Sequence, residues 1–439
     1  MTAPGVPASP PAVQGPFRSW SQPRSVDQHV DLLAQALSTR ALGQESVRVT
    51  EALRRVLVDD FRAPTDLPRF DDSQMDGFAL ASAGTPGTFE VAGVTAAGHT
   101  GEEVPAGAAT AIMTGAPVPP GTDAVVPVEA TDGFDAASIR VDAVPSGQFV
   151  RHRGSDIREG DPALPADVPL TPAALGVLAA FGLVEVPVRA CPRALIVAGG
   201  DEVAVPGETL RPGQLYDANT ALLTAVLRSA GAAVADSIVV NDDVDDFRTA
   251  LGERIRAVDP DLVVTSGGIS AGRFEVVQQS LADSADLDGY TPHVGFGSIA
   301  MQPGGPQGAG VLRCDEGNCV PIVCFPGNPV STWISAHVLL RDAIARAWRT
   351  CAPARRISAA LVEDVTPLPT RTQIRRARTD VGLQADGTLD AASTQLRTHA
   401  LAGTSSHLLA TAARADSLIV VPPGDVPLPA GTPVEVVLL

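Results

Sequence analysis

The sequence predicts an α/β multidomain protein, and three observations carry that prediction. Between residues 189 and 350, apolar strand-like runs alternate with amphipathic helical stretches. Alternation of this kind builds a mostly parallel sheet with helices on both faces. Residues 63–150 instead show short strand-like runs, such as 87–91 and 109–113, punctuated by Gly and Pro. They are flanked by helical periodicity on both sides and so read as an insertion. Beyond residue 352 the texture is β-like again, and runs 417–421 and 434–439 suggest a small barrel or sandwich.

The elements follow in order. Residues 1–24 begin MTAPGVPASPPAVQGP, with no basic start and no apolar run. They read as a Pro-rich disordered tail, not a signal peptide. Val26, His29, Leu32, Leu33 and Leu37 recur at helical spacing, and residues 51–58 read as a second helix. Helical periodicity returns at 171–181, with Thr171 as N-cap and Pro172 at the first helical position. These helical parts are expected to pack together around the inserted β segment. The alternating region supplies strands 194–198, 232–240, 261–265 and 322–325 and helices 219–230, 244–257, 272–281 and 328–345.

Composition bounds the function. The chain has 439 residues, 45% hydrophobic and 19% charged, which suits about three globular domains. It carries 50 acidic against 32 basic residues, a net charge of -18, and every basic residue is Arg. Such a balance argues against nucleic acid or an anionic membrane as partner, because both require extended positive potential. It leaves room for a local Arg-lined pocket for a small anion. The longest apolar run, 173–184, is too short to span a bilayer. The cysteines, Cys191, Cys314, Cys319, Cys324 and Cys351, match neither a zinc pair nor a disulfide framework. A cytoplasmic location is the default expectation.

Ligands of doubly wound sheets bind at the carboxyl ends of the strands, and three junctions stand out there. Strand 261–265 enters Ser266-Gly267-Gly268-Ile269-Ser270-Ala271-Gly272, either an anion-binding loop or a tight structural turn. Strand 322–325 enters Pro326-Gly327-Asn328-Pro329-Val330-Ser331, where Asn328 caps a helix and Pro329 fits its first turn. Strand 194–198 enters Gly199-Gly200-Asp201-Glu202, with Asp242, Asp243 and Glu275 expected near the same edge. Carboxylates beside an anion site suggest a divalent cation, since Mg²⁺ bridges one or two carboxylates to phosphates. Any one carboxylate alone is more often a helix-start charge than a ligand. Elsewhere, residues 70–79 compose a loop and Arg151-His152-Arg153-Gly154-Ser155-Asp156 a small basic cluster.

Over residues 25 to 439 the chain resembles the molybdopterin molybdenumtransferases, whose eukaryotic counterpart is the E-domain of gephyrin. Residues 70–79 resemble the family's FDNSAMDGYA loop, and 112–119 read IMTGAPVP. Residues 153–156 are similar to RRGxDI, and 200–202 with 213–219 to GDEL…GQIYDxN. Residues 265–272 resemble TSGGVSVG, and 326–331 read PGNPVS. The resemblance implies a doubly wound, mostly parallel α/β domain (189–352), an inserted β domain (63–158), a composite helical domain (25–62 and 159–188) and a C-terminal β-barrel (353–439). It also implies a homodimer with its cleft between the doubly wound domain of one subunit and the β domain of the other. The reaction it implies inserts molybdate into the dithiolene of adenylylated molybdopterin, with Mg²⁺ as divalent cation and AMP released. A molybdopterin adenylyltransferase would be a partner.

Carried over residue by residue, the resemblance makes Asp76, Asp156, Glu202, Asp242 and Glu275 catalytic, with Glu202, Asp242 and Glu275 toward the metal. Thr114, Ser266, Gly267, Gly268, Ser270, Gly272, Pro326, Gly327, Asn328, Pro329 and Ser331 would bind the ligand. The chain also departs from the family. Glu275 stands for an aspartate, Ala198-Gly199 for Ser-Thr, and Asp72, Gln74 and Phe78 alter the 70–79 loop. Where the family reads approximately KxAxKPGKP, Ser298, Gln302 and Gly305 are uncharged. Lysines there would give point charges to a phosphate, and Arg273, Arg151 and Arg153 are the nearest substitutes. The retained acidic set favours an enzyme. The missing lysines favour the alternative, a catalytically weak or inactive paralogue that binds molybdopterin or acts as a scaffold. An adenylyltransferase is a third reading, disfavoured by the four-domain extent.

Overall fold

The computed structural model describes residues 17–269, 275–282, 285–314, 319–381, 396–401, 403 and 405–439. Its contacts divide the chain into two units, residues 1–58, 167–171 and 186–439 in one and 59–166 with 172–185 in the other.

The first unit is built on a six-stranded sheet. Strands Ala233–Val240, Arg193–Gly199, Leu262–Ser266 and Cys319–Phe325 lie side by side in parallel, in that order. The central ones are nearly continuous Val, Ile and Leu because both faces are covered. Helices Asn219–Ser229 and Val244–Val258 follow the first two strands in the chain. The last strand feeds Pro329–Ser335, a π-helical turn Ala336–Leu340 and Arg341–Ala347. Two strands were not anticipated: Pro306–Cys314 and Tyr290–Ser298 extend the sheet antiparallel, making it mixed. Their Gly-rich, weakly apolar sequences (PQGAGVLRC and YTPHVGFGS) hid them from periodicity.

Two further expectations are corrected. Helix Val26–Leu37 buries Val30, Leu33, Ala36 and Leu37 in the same core as Ile196, Val264, Val323 and Ile344, so it belongs to the doubly wound layer. The anticipated second helix at 51–58 is only a 3-10 turn, Val49–Glu51. Arg54 at φ 64 breaks helical continuation, and the backbone exchanges hydrogen bonds with Leu170 instead. Segments 44–62 and 162–189 do pair, but through short strands, Gln44–Arg48 with Glu185–Arg189 and Phe61–Arg62 with Pro162–Leu164.

Residues 17–24 are corrected as well. Phe17 is buried in the sheet's core, and Trp20 and Arg24 donate backbone hydrogen bonds to the carbonyls of Phe296 and Ser298. This strap needs glycine beneath it: a Cβ on Gly297 would fall 2.5 Å from the Trp20 indole.

The C-terminal region closes on itself. Strands Thr372–Val381, Leu396–Ala400, Arg356–Leu361, Pro433–Leu438 and Ser417–Val421 form a ring through pairing of the last with the first. That makes a five-stranded β-barrel around Ala359, Ile419, Val421 and Val436. The second unit contains a five-stranded sheet, Gly87–Thr95, Ala108–Ile112, Gly77–Leu80, Ala124–Pro127 and Ser138–Val141, packed around Phe78, Leu80 and Ile139. The same unit holds helix Pro172–Ala180.

Candidate active site at the carboxyl edge of the sheet

Three strand ends meet through glycines. The Gly267 amide donates to the Phe325 carbonyl at 3.0 Å. A Cβ on Gly267 would lie 3.1 Å from the Gly199 carbonyl oxygen, and one on Gly327 would lie 3.1 Å from the Gly267 Cα. Gly267 and Gly268 have φ 98 and 62, so this close approach is also conformationally a glycine position. Ser266 is buried just before them, and its Oγ has no hydrogen-bond partner among the described residues. Buried orphans of this kind are uncommon, and a bound polar ligand or a water would satisfy this one. Ser270, Gly272 and Arg273 lie outside the described residues.

The helix start at Pro326-Gly327-Asn328-Pro329 is fixed from several sides. The Asn328 side chain accepts from the amides of Val330 and Ser331, at 3.1 and 3.4 Å. Thr332 Oγ1 donates to the Pro326 carbonyl at 2.6 Å. Asn219 Nδ2 donates to the Gly327 carbonyl at 2.8 Å, while Asp217 accepts from the amides of Asn219 and Thr220. The expected N-cap is therefore real, and a second helix start is tied to it.

The acidic residues divide into ligand candidates and caps. Asp201 and Asp242 exchange hydrogen bonds, each amide donating to the other's carboxylate at 3.3 Å. Both are exposed, as is Glu202. Gly200 has φ 136, and a Cβ there would fall 2.5 Å from the Glu202 carboxylate. Asp243 instead caps helix Val244–Val258 by accepting from Asp245 and Asp246. Glu275 precedes the short helix Val276–Ser280. Among the described residues, no three His, Cys, Asp or Glu side chains gather as a metal cage. The paired edge of Asp201 and Asp242, with Glu202 beside it, fits a cation completed by substrate phosphates.

The antiparallel hairpin adds a fourth segment here. Gly308 pairs with Cys324 and Ser298 with Pro306, so residues 299–305 sit at the carboxyl edge of the parallel strands. The N-terminal strap holds this segment. Trp20 Nε1 donates to the Ser298 carbonyl at 2.7 Å, and the Ala300 amide donates to the Arg24 carbonyl. The Arg24 guanidinium lies 4.0 Å over the Trp20 ring and has no ion pair among the described residues. Reading the sequence alone missed this cation at the edge. Phe17 and Trp20 were the available signal, two of only 17 aromatic residues in the chain and out of place in a disordered tail.

In the second unit, Asp76 Oδ1 accepts from the Thr114 amide and Oγ1 at 2.6 and 2.7 Å. These donors hold the Asp76 carboxyl below its ordinary range. Asp156 is exposed, its amide bonded to the Leu67 carbonyl. The arginines nearby are already engaged: Arg151 pairs with Asp72 at 2.8 Å and Arg153 with Asp66 at 2.5 Å.

Three family models match the chain in order. They are the MoeA N-terminal region (domain I and II) at residues 24–182, a probable molybdopterin binding domain at 195–346 and the MoeA C-terminal region (domain IV) at 358–439. The molybdopterin molybdenumtransferase 2 of Mycobacterium tuberculosis is 40% identical over 423 residues, covering 94% of this chain and 99% of that protein. The chain belongs to the molybdopterin molybdenumtransferase family. Family members also include the molybdopterin molybdenumtransferase 1 of Mycobacterium tuberculosis, 31% identical over 95% of this chain and 99% of its own length. The fold agrees. A molybdopterin biosynthesis protein from Pyrococcus horikoshii superposes with a TM-score of 0.76 at 21% identity, covering 95% of this chain and 100% of that one. No helix among the described residues is long and apolar enough to cross a membrane.

Proposed function

We propose that this chain inserts molybdate into the dithiolene of adenylylated molybdopterin and releases AMP, the reaction that the family resemblance implies; its relatives are named molybdopterin molybdenumtransferases. The observation that carries the reading is the convergence of the loops at 199–202, 266–268 and 326–328 beside the Asp201–Asp242 edge. Capped helix starts and glycine backbone receive an anion there. Two or three carboxylates would hold Mg²⁺, which would neutralise charge on the pyrophosphate. Glu202 and Asp242 are its proposed ligands, with Glu275 a third carboxylate toward it. Ser266, Gly267, Gly268, Gly327, Asn328 and Ser331 bind the substrate in this reading, with Pro326 and Pro329 shaping the helix start. Ser270 and Gly272 are proposed to bind the same substrate. Asp76, Asp156 and Thr114 are proposed to act in the same reaction. The assembly is read as a homodimer in the cytoplasm, supplied by a molybdopterin adenylyltransferase.

Purified protein given adenylylated molybdopterin, molybdate and Mg²⁺ is expected to release AMP, measured chromatographically, and to stop when EDTA is added. Binding of the nucleotide without AMP release would replace the enzyme by a molybdopterin-binding paralogue.

A further inference from the structure

A cavity of about 590 Å³ lies on the face formed by helix Asn219–Ser229 and the helical segment 329–347. Both helices start at the carboxyl edge, and Arg228 and Arg341 sit far along them, toward the opposite edge of the sheet. The cavity is therefore separate from the loops described above.

Its lining is unusual for a chain of net charge -18. Arg54, Arg228 and Arg341 all contribute to it, and no Asp or Glu does. None of the three makes an ion pair among the described residues, whereas Arg40, Arg55, Arg346 and Arg356 of the same unit do. Arg341 Nε is buried without a hydrogen-bond partner among the described residues, a donor that a bound oxyanion would satisfy. Leu222 and Trp333 add an apolar and an aromatic wall.

Two backbone irregularities frame the same place. Trp333, His337 and Arg341 are spaced by four residues across the π-helical turn Ala336–Leu340. Turns of this type interrupt helices frequently at functional sites. Arg54 holds φ 64, a conformation that costs a non-glycine residue energy and persists where the surroundings impose it.

We infer that this cavity binds a small organic anion, a phosphate or carboxylate on an aromatic or apolar body, held by Arg54, Arg228 and Arg341 against Trp333. Guanidinium forks match such oxyanions, and a planar body stacks on the indole. The inference is independent of the proposed reaction.

Phenyl phosphate and benzoate serve as probes, with inorganic phosphate as the comparison, followed by Trp fluorescence and calorimetry on the full chain. One of the aromatic probes is expected to bind at least about tenfold more tightly than inorganic phosphate, and which one does so identifies the head group. Arg228→Ala, on an exposed helix surface, is expected to weaken that binding by about tenfold or more. Trp333→Phe should keep calorimetric binding and lose most of the fluorescence change. Asp242→Asn, at the carboxyl edge, should leave probe affinity unchanged. Absence of binding, or binding indifferent to both Arg228→Ala and Arg341→Gln, overturns the inference. Loss of binding in Asp242→Asn with Arg228→Ala unaffected would place the probe at the carboxyl edge and overturn it equally.

Discussion

Gly305 sits in ordinary space: a Cβ there would meet Ser298 Oγ at 3.4 Å and the Met301 carbonyl at 3.5 Å. A lysine at this position fits without moving the backbone and would add a cation beside the loops proposed to hold a pyrophosphate. Gly305→Lys is expected to lower KM for adenylylated molybdopterin by roughly tenfold, the scale of one charged hydrogen bond. An unchanged KM in steady-state AMP release would mean that another group, with Arg24 as the candidate, already serves there. Arg151 and Arg153 are unsuited to that role because Asp72 and Asp66 hold them. Asp76 illustrates the opposite sign of charge. Its carboxyl is depressed by Thr114, so the contact persists as pH falls below the ordinary carboxylate range and is lost only through the depressed value. Single residues with local causes were legible in the sequence: the Asn328 cap needs only its own next three residues. Arg24 was not, because its backbone is placed by Ser298 and Ala300 and its guanidinium by the Trp20 ring that docks with it.

The strap and the hairpin behave as one element. Trp20 fills the space that Gly297 leaves and donates to Ser298, so the segment 299–305 is held at one end by residues from the other terminus. Trp20→Ala is expected to loosen it, raising the rate of limited proteolysis within 299–305 about fivefold, the scale of a lost hydrogen bond of about 1 kcal/mol. Trp20→Phe should show an intermediate rate, since it keeps packing but loses the donor. Equal rates in all three proteins would remove the strap from any positioning role. Elements with strong periodicity, such as Val244–Val258 and Leu262–Ser266, were readable from their own residues. Residues 51–58 were misread because Leu53, Val56 and Val58 imitate a helical stripe. The left-handed Arg54 and the pairing to Leu170 are tertiary facts that overrule it.

At the scale of the whole molecule, two buried histidines contribute to the response to acid. His29 is fully buried with both ring nitrogens unpartnered among the described residues, and burial lowers its pKa to about 3. His337 is lowered to about 4, first by burial and then by Arg341. Unfolding frees both to bind protons near the ordinary histidine value, so stability is complete above about pH 6.5 and declines as pH falls toward the folded values. For His29 the loss at pH 5 is about 2 kcal/mol. His29→Leu is expected to reduce the difference in denaturant midpoint between pH 7 and pH 5; an unchanged difference would assign the acid sensitivity elsewhere. The fold class was legible at this scale because each texture, strand–helix alternation or Gly-punctuated strands, extends over many residues. Closure of the barrel came from the family resemblance and not from the β texture, which left barrel and sandwich open, since closure depends on Thr372–Val381 meeting Ser417–Val421. The bond from Trp20 to Ser298 spans 278 positions of the chain. During synthesis the strap leaves the ribosome long before its docking strand exists, and such distant pairings form slowly. Trp20 and Phe17 therefore wait as exposed apolar groups, a natural handle for a chaperone, and the carboxyl-edge loop is completed only after most of the chain has been made.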